Sequence, residues 1–198
     1  MLIVDHRFGA NTMVEMKGKK ITRISQALRM LSWTGLLGTP FVVGIVWFTG
    51  NESLLLSGEA THYLIPHGSS FESGRLDLLM RFKGFLISMI PGLAMMYGFL
   101  HLTRLFERFG RLEFFTIDTV RHFRIFATMV VAVGILMPIS GALLSLATSL
   151  GNSPGNRLVS VTAGDSELAT VFLGGVMLVI AYVMEQGKQL VDDYQGIV

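Results

Sequence analysis

The stretch GRLEFFTIDTVRHFR, Gly110 to Arg124, decides how the chain is read. It is the most charged part of an otherwise apolar middle, and three roles fit such a segment: a basic reader of nucleic acid, the lip of an active site, or a turn between two membrane spans. Its flanks choose among them. Gly84 to Thr103 before it and Ile125 to about Leu150 after it are nearly free of charge, as are Met30 to Asn51 and Leu168 to Met184. A helix needs about 20 mostly apolar residues to cross a bilayer core, within a range of about 17–25, so four runs qualify.

Composition agrees. The 198 residues are 51% hydrophobic and 15% charged, with a mean hydropathy of +0.57, whereas a soluble domain carries about 25% charged residues. The reading is one all-α unit, an integral membrane four-helix bundle over 1–198. Its spans fall at about 28–50, 84–104, 124–150 and 167–186, with a polar lead-in over 1–24, a moderately long extracytoplasmic loop between helices 1 and 2, and a tail over 187–198. The N-terminal residues carry Asp5 and Glu15 and no sustained apolar run before Lys20, so the first span is expected to insert as an uncleaved anchor.

Cytoplasmic flanks of membrane spans hold an excess of Lys and Arg. Six of the 16 basic residues precede the first span (Arg7, Lys17, Lys19, Lys20, Arg23, Arg29), five lie between spans two and three (Arg104, Arg108, Arg111, Arg121, Arg124), and Lys188 follows the fourth. The opposite side has four, Arg75, Arg81, Lys83 and Arg157. Both termini and the middle turn are therefore expected in the cytoplasm of a bacterial inner-membrane protein. The stretch Gly110 to Arg124 is then a cytoplasmic helical hairpin, with Gly110 ending one helix, Thr116 as the N-cap of the next, and Asp118 complementing its dipole.

Within the spans, Pro40, Pro91 and Pro138 mark interruptions, with a kink expected at Pro138. Ala94 with Gly98 and Gly141 with Ser145 offer small faces for close helix approach. Trp33 and Trp47, near the two ends of span one, are expected in the headgroup layers.

Catalytic machinery is absent from this reading. No nucleophile elbow, phosphate loop, dinucleotide glycine pattern or zinc-protease helix occurs, so no enzyme, no catalytic residue and no cofactor are expected. There is no cysteine, which excludes thiolate metal sites. His62 and His67, with Glu59 and Glu72, match no compact metal motif and read as incidental. His101, one turn before Arg104, reads as an interfacial histidine, since haem ligation in a four-helix cytochrome needs paired histidines deep in the spans. Glu185, Asp192 and Asp193 read as a solvated face. The midplane shows no acidic residue for ion coupling. Arg104, Arg108, Arg111, Arg121 and Arg124 are the candidate partner-binding residues. Their basic character is accounted for by topology and anionic lipid, with no nucleic-acid motif and no direct nucleic-acid partner expected.

Three segments, LHLTRLFERFGRLEFFTIDTVRHFRIFA, TSLGNSPGNRLVSV and VIAYVMEQGKQLVDDYQGIV, resemble the domain of unknown function 2975 family of bacterial four-span membrane proteins. Leu102, Leu105, Phe106, Phe115 and Thr116 follow the family pattern after span two, its glycine falling near Gly110 or Arg111. Glu185, Gly187, Leu190 and Asp193 follow the pattern that ends span four, with Gln186 intervening and Asp in place of Glu. The resemblance covers the chain after about Leu28. It implies a membrane sensor or sequestering partner of a small cytoplasmic helix-turn-helix regulator, and it brings no catalytic residues. The expectation is thus a non-enzymatic membrane protein that binds a protein partner. The alternative is a small transporter, or a membrane subunit of a larger complex, using a polar path along the proline-interrupted helices. Either is compatible with a homo-oligomer within the lipid bilayer.

Overall fold

A computed structural model describes residues 5–49, 78–111, 113, 116–149 and 164–195, with 5–20, 148–149 and 190–195 described by backbone alone. The fold is all-α: α1 is Asp5–Thr49, α2 Leu78–Gly110, α3 Ile117–Ser149 and α4 Asp165–Gln195. There is no strand among the described residues. Each helix contains a stretch long and apolar enough to cross a membrane, Ile21–Thr49, Leu78–Gly110, Ile117–Ala147 and Asp165–Gln189. The protein is a multi-pass, four-helix membrane protein.

The helices outrun the expected spans. α2 and α3 have 33 residues each, about 50 Å at 1.5 Å per residue, against a hydrocarbon layer of about 30 Å. The lead-in is not a separate element, because α1 starts at Asp5 and runs unbroken into the first span. Leu78 to Lys83, before the expected second span, open α2, and Asp165 and Ser166, before the expected fourth span, open α4. The tail continues α4 to Gln195. Pro40, Pro91 and Pro138 lie inside continuous helices. A proline removes one backbone hydrogen bond, and neighbouring helices in a membrane bundle can make up for it.

Packing follows chain order. α1 lies on α2, α2 on α3 and α3 on α4, and no other pair is comparably in contact. The result is a row with α2 and α3 in the middle; α3 is the most buried helix and α4 the least. The stripe Leu168, Phe172, Val176, Val179 and Val183 on α4 is exposed, as a lipid-facing surface should be.

Small residues set the close approaches. Trp47 is only 5% exposed, and its indole N–H donates to Ser88 Oγ at 3.0 Å. Its ring lies across Gly84, where a Cβ would come 2.1 Å from ring carbons. Trp47 therefore turns inward to join α1 to α2, with Val43 and Leu144 beside it, rather than facing headgroups. Trp33, 44% exposed, does face outward. On the other flank, a Cβ on Gly134 would meet the Val171 methyl at 2.6 Å, and one on Gly174 the Val131 methyl at 2.7 Å. These contacts set the antiparallel register of α3 and α4.

Candidate functional site: the hairpin end of the bundle

The hairpin is built by local hydrogen bonds that its sequence supplies. At the end of α2 the Arg108 carbonyl accepts from the Arg111 N–H at 2.9 Å and the Glu113 N–H at 3.1 Å, which turns the chain back. Thr116 caps α3 as its sequence indicates: the Thr119 N–H donates to Thr116 Oγ1 at 3.2 Å, satisfying one of the open donors of the first turn. Buried Thr119 then donates its hydroxyl to the Glu113 carbonyl at 2.9 Å.

Charge locks the turn. Arg108 lies 2.8 Å from Asp118 and 3.6 Å from Glu113, so it bridges the turn itself. Arg111 pairs with Glu107 one helical turn back at 2.9 Å, and Glu107 also receives Arg29 of α1 at 3.7 Å. Arg124 pairs with Glu185 of α4 at 3.0 Å. Ser25 donates to the Phe106 carbonyl, and Thr22 donates to the Gly110 carbonyl at 3.4 Å. The lower parts of α1 and α4 and the α2–α3 hairpin thus meet at one end of the bundle.

The five arginines separate into two groups. Arg108 and Arg124 form ion pairs across elements, and Arg111 forms one within α2. Arg104 and Arg121 are exposed and form no ion pair among the described residues. Arg121 also lines a cleft of about 220 Å³ between the feet of α3 and α4, with Arg124, Glu185 and Lys188.

Just inside the hairpin, His101 Nδ1 and His122 Nδ1 are 2.8 Å apart. His101 is not a solitary interfacial histidine. It is 5% exposed, so its ring needs a polar partner, and His122 of α3 supplies it; Tyr97 packs edge-on at a centroid distance of 4.7 Å. One ring donates and the other accepts, which makes the pair a shared-proton bridge. Two nitrogens on one zinc ion would each stand about 2.0–2.1 Å from the metal; at 2.8 Å from each other these two are hydrogen-bonded directly. Among the described residues, no three His, Asp or Glu side chains gather as a metal site. His62, His67, Glu59 and Glu72 lie outside the described residues, and Asp192 and Asp193 are on the backbone-only end of α4.

One ionisable residue escaped the sequence reading. Glu167, at the first position of the expected fourth span, is 6% exposed and lines a groove between α2, α3 and α4. Gly164 N–H and Ser166 Oγ–H both donate to Glu167 Oε2, at 2.8 and 3.0 Å. This is a capping box, in which the acid at the third helical position reaches back to the cap residue. The string Gly164-Asp165-Ser166-Glu167 before an apolar run was the available signal.

A four-helix, multi-pass membrane protein with a charged hairpin at one end is the class these features define. The model of the family described as Protein of unknown function (DUF2975) matches residues 40–197, and the chain belongs to that family. No curated protein and no solved structure matches it.

Proposed function

We propose that the protein is a non-enzymatic, multi-pass protein of a bacterial inner membrane, and that it binds a cytoplasmic regulatory protein at the hairpin end of the bundle. The observation that carries this reading is the contrast among the arginines: Arg104 and Arg121 are exposed without an ion-pair partner among the described residues, on a hairpin that Arg108 and Arg124 brace. A rigid platform presenting uncompensated cations suits an acidic protein surface, because complementary charge speeds encounter and fixes orientation. The excess of basic residues on this side supports a cytoplasmic location for the hairpin and both termini. A sensor or sequestering role follows if the bound regulator is held away from its own target.

Photo-crosslinking in living cells tests the reading. A crosslinking amino acid placed at Arg121 should trap a soluble cytoplasmic protein, whereas one at exposed Phe82, at the other end of α2, should trap only lipid or membrane protein. Equal patterns from the two positions, or no adduct from Arg121, would count against it.

A further inference from the structure

The geometry points to a lipid site at the feet of α3 and α4: the cleft around Arg121 binds an anionic phospholipid, with the phosphate between Arg121 and Lys188 and a chain along the outer face of α3. The cleft encloses about 220 Å³. Ile117 in its lining opens one membrane-crossing stretch, and Gln189 in the lining closes another. The stretch that begins at Ile117 has 31 residues, about 46 Å of helix, which matches a bilayer with its headgroup layers, about 40–45 Å thick. The cleft therefore stands at the level of the lipid phosphates, where basic pockets between spans suit anionic headgroups.

The register of the two helices sets the charge pattern. α3 and α4 run antiparallel, and Arg124 pairs with Glu185 at 3.0 Å. Three residues before Arg124 is Arg121, and three residues after Glu185 is Lys188, so one turn beyond the ion pair a cation stands across from a cation, both in the lining. Like charges set opposite each other repel, and an anion held between them turns repulsion into attraction. Glu185 is the only acid in the lining and is engaged by Arg124, which leaves the lining with three cations against one carboxylate. Arg121 is exposed and forms no ion pair among the described residues. Its planar guanidinium fits two phosphate oxygens at once, and the Lys188 ammonium adds a point charge.

The rest of a lipid has a surface too. Val120 and Ile117 give the cleft an apolar wall. Steps of seven residues from Arg121 lead to Thr128 and Ile135, and four more to Ile139, a spacing that keeps all four on one side of α3. Thr128 is exposed, as are Ile135 and Ile139. A free phosphate would use the cations and none of this stripe. A zwitterionic lipid would use the stripe and bring its own cation to a basic cleft.

The test titrates the full-length protein, stripped of lipid in a neutral detergent, with radiolabelled dioleoyl phosphatidylglycerol or dioleoyl phosphatidylcholine. Phosphatidylglycerol should bind saturably and at least tenfold more tightly than phosphatidylcholine. Arg121→Gln and Lys188→Gln should each cut that preference about fivefold, the order expected of one cation at a lipid surface, with helical content unchanged. Arg121→Lys and Lys188→Arg keep the charge and should keep most of the preference. Excess inorganic phosphate should displace the lipid no more than chloride does at equal ionic strength. Equal affinity for the two lipids, a preference untouched in the Arg121→Gln, Lys188→Gln double variant, or displacement specific to inorganic phosphate would each overturn the proposal. Arg104 lies outside this lining, so Arg104→Gln should bind phosphatidylglycerol as the parent does, which separates this site from regulator binding at the hairpin.

Discussion

His101 and His122 share one hydrogen bond, Nδ1 to Nδ1 at 2.8 Å, and it ties α2 to α3 directly above the hairpin. The bond needs one nitrogen without a proton. Arg104 and Arg121 lie within electrostatic reach of both rings.

When both rings become imidazolium, both Nδ1 atoms carry protons and two cations face each other. The stabilisation is therefore present at neutral pH and lost as acid charges the second ring. Amides of the hairpin, corrected for intrinsic rates, should exchange faster at pH 5 than at pH 7. His122→Gln should weaken that dependence, and an identical pH response in the variant would refute the bridge.

Removing Arg108 should unsettle the hairpin where removing Arg104 or Arg121 does not. Arg108 joins Asp118 and Glu113 across the turn with its side chain 30% exposed, and partly exposed pairs contribute up to about 1 kcal/mol. Arg108→Gln is expected to lower the apparent melting temperature in detergent. Arg104→Gln and Arg121→Gln should melt with the parent.

Gly84→Ala forces a methyl into the Trp47 ring, which lies 2.1 Å from the position of that carbon. Overpacking of this kind costs about 1–3 kcal/mol. The variant should show a shifted Trp47 emission, measured in a Trp33→Phe background, and easier separation of α1 from α2. Gly175→Ala is the control, since nothing stands within 4 Å of its added carbon.

At the start of α4, Glu167→Ala removes the acceptor for the Gly164 N–H, whereas Glu167→Gln retains one. Loss of a helix cap costs about 1 kcal/mol. Hydrogen exchange over the first turn of α4 should accelerate in the alanine variant and stay near the parent in the glutamine variant. Equal acceleration in both would show that charge, not capping, holds the turn.

What was legible in the sequence was local or periodic. Four uncharged runs announce four spans because lipid removes every other way to satisfy a backbone, and Thr116 announces its cap because the bond is made within three residues. The misses depend on helix phase and neighbours. His122 meets His101 across a turn, 21 positions away, and neither residue alone shows that the two faces meet. Trp47 sits where an interfacial anchor is expected, but the missing side chain of Gly84 draws its ring inward. The cap made by Glu167 is written in its own segment, Gly164 to Glu167, but the groove it lines is formed with α2 and α3, which that segment cannot show.

The central proposal, that the hairpin end holds a cytoplasmic regulator through the two arginines that form no ion pair among the described residues, is tested most directly by quantitative mass spectrometry of what co-purifies from native membranes at native expression. The parent and the Arg104→Gln, Arg121→Gln double variant should be compared at equal yield. The account predicts a stoichiometric cytoplasmic DNA-binding protein with the parent and at least a tenfold loss of it with the variant. Recovery of only membrane proteins, or of the same soluble protein in equal amount with both, would contradict it.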